Sequence, residues 1–207
     1  MKLKRKDLDK RISASIKKEL KKYKLKSRGG IYYKKIGQYF IYMHIGATGL
    51  ENDIVRIRGY VKPYITDDIF WEVFNMESNS NEPIGLRANG AYKVDGFEAF
   101  YNDVKYGDVE SLGDVANELI GKCCEYLEQT VESFEGFEDF LSFSKSSDKN
   151  QLYDYNLVDM LLLINTGKYK EAKSIAKNLI EKHEYGRFIN EEKNIYEYIV
   201  DYCNRYI

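Results

Sequence analysis

Cysteine is scarce and badly spaced for cross-linking: there are three, of which Cys123 and Cys124 are adjacent and Cys203 is far away. That spacing argues against a disulfide framework and offers no C-x-x-C redox or metal pair, so a reducing, cytoplasmic setting is expected. His44 and His183 are the only imidazoles. A zinc site would need scattered carboxylates as well, and no metal is expected. No stretch approaches the ~18 uncharged apolar residues of a membrane span. The opening Lys2, Lys4, Arg5 and Lys6 leads into a charged helical pattern rather than an apolar signal core. A serine elbow, a Walker-type loop and a dinucleotide fingerprint are all missing, so no cofactor is expected.

What the chain does have is enough apolar material for a core, 43% of 207 residues, which excludes disorder as its main state. The length fits one domain with a small appendage. The net charge of −1 hides strong segregation. Residues 1–35 carry 15 Lys and Arg against 3 Asp and Glu, whereas residues 66–148 carry 5 against 19. Either the two segments face each other across one fold, or they offer electrostatic surfaces to partners of opposite sign. Tyrosine is abundant at 19 residues. It is enriched at interfaces, where one end of the side chain is buried and the other wet, although a coding bias toward Tyr, Ile, Lys and Asn gives the same count.

Leu8, Ile12, Ile16 and Leu20 recur at every fourth position, so residues 7–24 read as an amphipathic helix ended by Ser27-Arg28-Gly29-Gly30. Three period-two segments follow, Ile31–Ile36, Tyr39–Ile45 and Ile54–Val61, and read as an antiparallel meander. Tyr39, Ile41, Met43 and Ile45 share its core face with Val55, Ile57 and Val61; Phe40, Tyr42 and His44 point the other way with Arg56, Arg58 and Tyr60. A symmetric loop would set His44 near Arg56 and Tyr42 near Arg58. Thr66-Asp67-Asp68 looks like a cap before a short apolar helix at Ile69–Phe74. Leu86–Val94 reads as a fourth strand weakened by Gly90. Residues 96–107 fit a strand and a helix equally. A three-four spacing from Asp114 to Phe134 predicts a long helix, and Phe137–Phe143 adds one or two turns. Ser144–Asn150 has a linker's composition, and helices are expected at 153–165, 168–184 and 190–206. The whole reads as α+β: an N-terminal helix, a meander of about four strands packed by helices within residues 1–145, and a helical appendage over 151–207.

Asn165-Thr166-Gly167-Lys168-Tyr169-Lys170-Glu171-Ala172, with Ile175, Ala176 and Leu179, resembles the turn and second helix of a tetratricopeptide repeat. One half-motif without a second copy predicts a helical hairpin and no array. The lysine-rich first helix, Gly30-Ile31-Tyr32-Tyr33-Lys34-Lys35, and Lys62-Pro63-Tyr64-Ile65-Thr66-Asp67-Asp68-Ile69-Phe70-Trp71 resemble the bacterial domain of unknown function 4304 over about residues 7–143. The resemblance implies an α+β domain in bacterial cytoplasm and carries no site residues.

The foremost candidate site is the strand face Tyr42, His44, Arg56, Arg58 and Tyr60, with Tyr33 as a further candidate member. Guanidinium forks bind phosphate or carboxylate, and tyrosine offers stacking area, so this face suits single-stranded nucleic acid or an anionic protein surface. The competing reading covers the face with a helix, its arginines paired to Glu118, Glu125 or Glu128. Asp67, Asp68 and Glu72 suggest acid–base chemistry, but their place at a helix start explains them equally. Cys123 and Cys124 fall mid-helix, where core packing accounts for them without a thiolate role. The expectation is a non-enzymatic protein–protein interaction module, of immunity or accessory type, with a protein as partner and no membrane contact. The alternative is nucleic-acid binding through the basic first helix and the Tyr/Arg face. Nothing in the sequence names the partner or the oligomeric state.

Overall fold

The computed structural model describes residues 4–49, 51, 53–145 and 153–207. The architecture is α+β: a five-stranded antiparallel sheet with helices and a helical C-terminal tail. Contacts group residues 1–62 with 96–135 as one unit and residues 63–95 with 136–207 as another. Helix Phe137–Lys145 and the segment 63–95 both group with the tail, and residues 146–152, which include most of the expected linker, lie outside the described residues.

In the first unit the opening helix is two pieces, α1 (Arg5–Ser15) and α2 (Lys17–Lys22). Ile16 between them has ψ near zero, yet its N–H still reaches Ile12 O and its carbonyl accepts from Leu20. The apolar stripe therefore continues, and Leu8, Ile12, Ile16 and Tyr23 are all buried. The sheet runs β1 (Lys26–Arg28), β2 (Ile31–Ile36), β3 (Tyr39–Thr48), β4 (Ile54–Pro63) and β5 (Phe97–Lys105) in that order. Strand β1 stands where only a helix end was expected. Gly29 and Gly30 both take positive φ, 57° and 80°, the pair of values a two-residue hairpin turn demands.

Helix α5 (Leu112–Glu132) and α1 pack on one sheet face. Ala116, Leu119, Ile120, Cys123 and Leu127 form the buried stripe of α5, each large aliphatic member contributing roughly 1.5–3 kcal/mol through burial. Against them lie Met43, whose Sδ is 3.9 Å from Cys124 Sγ, and Tyr39, whose ring centre is 5.3 Å from that of Phe134. The acidic helix also meets the basic segment: Lys34 pairs with Glu128, and Tyr23 Oη donates to Glu125 at 2.8 Å. Part of the segregated charge is thus neutralised inside this unit.

The second unit contains α3 (Ile65–Val73), α4 (Leu86–Asn89), α6 (Phe137–Lys145), α7 (Tyr155–Asn165), α8 (Tyr169–Glu181), a two-residue-strand hairpin of β6 (Ile189–Asn190) with β7 (Lys193–Asn194), and α9 (Ile195–Asn204). The fourth strand expected at Leu86–Val94 is instead α4 followed by an irregular segment. Its helical turn aims Arg87 inward, 4% exposed, over the rings of Tyr64 and Trp71 at 3.9 and 4.8 Å and against Asp68 at 2.5 Å. The α7–α8 hairpin forms as its half-motif predicts. Gly167 takes φ 74° at the turn, and Ala172 and Ala176 are fully buried. The last helix starts later than residue 190, where Asn194 and Glu197 make a reciprocal capping box. Among the described residues no helix is long and apolar enough to cross a membrane.

At Gly59 of β4 the sheet and α5 are in close contact: a Cβ there would lie 2.6 Å from Cys123 Sγ and 3.0 Å from Leu127 Cδ1. Gly59→Ala should therefore destabilise the protein by about 1–3 kcal/mol through overpacking, read as a lower denaturant midpoint with unchanged slope; an unchanged midpoint would contradict this packing.

Candidate binding surface

The sheet face opposite α5 gathers the five residues singled out from the sequence. Tyr42 and Tyr60 stack with centroids 4.8 Å apart and planes 13° from parallel, and His44 meets both rings edge-on at 6.1 and 5.8 Å. Tyr42 thus lies against Tyr60. Tyr33 belongs to the same face, 5.7 Å from Phe40, and Lys62 is fully buried beside the rings of Phe40 and Tyr42.

Most of this face is already engaged. Tyr33, Phe40 and Tyr42 are buried, and the Tyr42 hydroxyl accepts a hydrogen bond from Gly96 N at 2.9 Å. Tyr60 is half-buried, and that burial pushes its hydroxyl pKa up to about 12. Arg56 makes a two-pronged bond to Asp103, Nε to Oδ1 at 2.8 Å and Nη2 to Oδ2 at 2.6 Å. Arg58 Nε lies 3.6 Å from Glu98. Both guanidiniums flank the Tyr101 ring, at 5.3 and 5.6 Å, and the Tyr101 hydroxyl donates to Asp103. The arginine partners are therefore β5 carboxylates, and not Glu118, Glu125 or Glu128. Glu118 instead pairs with Lys122.

One run of cations without ion pairs among the described residues lies along α1 and the start of α2. Arg5, Lys6, Lys10 and Lys17 line a groove of about 980 Å³ closed by the Gly29–Gly30 turn, with Ala14 and the lysine stems as its aliphatic walls. Among the described residues Lys6, Lys10, Arg11, Lys17 and Lys18 form no ion pair. At the end of β2 the groove meets a second hollow of about 430 Å³, which shares Arg5, Asp9, Ser13 and Gly30 and adds His44, Arg56 and Arg58. Asp9 closes the strand edge there by accepting from Ala47 N at 2.8 Å. The cation row and the hollow are thus neighbours, and the part of this basic trough without ion pairs among the described residues is the row Lys6, Lys10 and Lys17. Sequence reading missed Asp103 and Glu98 because their strand was unassigned, and missed the groove because its far wall is a hairpin turn.

The other candidates have structural duties. Asp67 is fully buried, accepts from Val94 N at 2.9 Å and lies 3.7 Å from Arg87; Asp68 bonds Arg87, and Glu72 accepts from the Tyr202 hydroxyl at 2.7 Å. Cys123 and Cys124 are buried, which raises both thiol pKa values, that of Cys124 to about 12, and disfavours thiolate. Among the described residues no His, Cys, Asp and Glu cluster could hold a metal ion.

Comparison with family models, curated proteins and solved structures finds no match to this chain.

The Arg56 bond, reinforced by the Tyr101 hydroxyl, holds the Asp103 carboxyl below the ordinary carboxylate range. A depressed folded-state pKa stabilises above the unfolded value near ~3.9 and is lost as pH falls through the folded value. Asp103→Asn should cost roughly 1 kcal/mol at pH 6, the upper range for a solvent-screened pair, and the gap from wild type should close toward pH 2. A gap that stays constant between those pH values would contradict the assignment.

Proposed function

We propose that the protein is a non-catalytic binding module whose basic trough receives an acidic surface of another protein. The observation that carries this reading is the row Lys6, Lys10 and Lys17, cations without an internal partner along an aliphatic-walled groove. Unpaired ammonium groups beside apolar wall fit a protein segment that mixes carboxylates with aliphatic side chains. The absence of convergent free carboxylates or an activated thiol in the residues first considered for chemistry supports a binding role over a catalytic one. A stoichiometric immunity-type or accessory factor is the biological form of this reading.

Nucleic acid is the second reading, favoured by the same cations. It is weakened by the aromatic residues: Tyr33 and Tyr42 are buried and Tyr60 is stacked on Tyr42, so the face lacks an open platform for bases.

The test is retention of partners from nuclease-treated native lysate by the wild-type chain and by Lys6→Glu/Lys10→Glu/Lys17→Glu. The account expects a stoichiometric protein, released by salt and lost from the triple variant by about tenfold or more, as screened charge pairs require. Retention of nucleic acid alone, or a protein held equally by the variant, would overturn it.

A further inference from the structure

The two edges of the five-stranded sheet are unlike. β1 is three residues long, wholly exposed and carries Lys26 and Arg28, the usual defences of an edge against strand addition. β5 has nine residues, no proline, and no buried residue from Glu98 to Lys105.

Its backbone polarity can be assigned. Tyr106 N–H donates to Asp53 O, and antiparallel pairing alternates bonded and non-bonded pairs. With Val55 opposite Val104 and Ile57 opposite Asn102, residues 104 and 102 turn their N–H and C=O groups to β4. Tyr101, Asp103 and Lys105 turn theirs outward, and among the described residues those groups meet no hydrogen-bond partner. Apolar surface flanks this edge: Tyr101 is 49% and Tyr126 41% exposed, and the Tyr126 ring centre lies 5.5 Å from that of Phe100.

We propose that β5 pairs antiparallel with β5 of a second copy of this chain, joining two sheets across a two-fold axis. The occupant is a second copy because the edge is self-complementary in charge. An axis through Val104 sets Asp103 against Lys105 of the other copy, twice, and Val104 against Val104 in the closely spaced, non-bonded position. Asp103 and Lys105 then fall in the bonded pairs that their backbone direction requires, and the pairing runs on to Tyr101 opposite Gly107 just past the end of the strand. Lys105 reaches Asp53 at 3.0 Å yet remains 75% exposed, so its charge stays on the edge. Asp103 keeps acceptor capacity beyond its two bonds to Arg56. One strand pair with its flanking aromatics makes a small interface, consistent with micromolar association.

Sedimentation of the full chain across micromolar loadings tests the proposal, with Tyr101→Pro and Tyr101→Lys as variants. Proline at an outward edge position deletes one free N–H without touching the β4 ladder, and lysine adds like charge to the edge. The wild type should dimerise with loading, and each variant that keeps the wild-type circular dichroism and melting should dimerise about tenfold or more weakly. Should the proline variant misfold, the lysine variant decides. A wild type that is monomeric at every loading, or a dimer indifferent to a folded edge variant, would overturn the proposal.

Discussion

Charge pairing across neighbouring strands governs what this protein can offer to the outside. Arg56 finds Asp103 and Arg58 approaches Glu98 on β5, while Lys34 and Tyr23 engage Glu128 and Glu125 on α5. Arg56 and Lys34, matched within the fold and less exposed than an edge lysine such as Lys105, have little left for a partner, because a new anion must displace a carboxylate already held there. The strand face that looked like a recognition surface is therefore largely part of the scaffold. Lys6 and Lys10 on α1 and Lys17 at the start of α2, around the groove, have no such partner among the described residues.

Those α1 residues depend on the same scaffold for their arrangement. The buried stripe Leu8, Ile12 and Ile16 fixes which side of the helix faces the sheet, and lysines a turn apart then fall along the groove wall. The Asp9 bond to Ala47 N holds the helix to the end of β3. Apolar and acidic groups thus set the frame, and unpaired lysines project from it. In the second unit the carboxylates near residue 70 are likewise committed. A buried pair such as Arg87 with Asp67 and Asp68 is costly to break and adds specificity of packing rather than reactivity.

Much of the fold was legible because the sequence alternates cleanly where strands are long. Segments 31–36, 39–45 and 54–61 all lie within strands, and the stripe from Asp114 onward is α5. Strand β5 was ambiguous for a definite reason. Its register slips between Gly59 and Tyr60, so Phe100 pairs with Gly59, Glu98 with Tyr60, and Ala99 is the extra residue. The bulge puts Phe97 and Phe100 on one face three positions apart, which imitates a helical stripe. The opposite error occurred at Leu86–Val94, where apparent alternation concealed a helical turn that buries Arg87. Burial of an arginine by stacking on Tyr64 and Trp71 depends on residues distant in sequence. The grouping of Tyr42, His44, Arg56, Arg58 and Tyr60 on one face was readable from periodicity. Their engagement was not, since it rests on the β3–β4 register and on partners from the unassigned strand.

The division between cations used by the fold and cations facing outward can be measured in one experiment, by the rates at which an amine-acylating reagent modifies each lysine of the isolated protein, followed by peptide mass spectrometry. Lys34, held by Glu128 and the Tyr23 carbonyl, and Lys62, fully buried, should react about tenfold or more slowly than Lys6, Lys10 and Lys17. Equal rates across all five, or protection of Lys6, Lys10 and Lys17 with no partner present, would contradict the account.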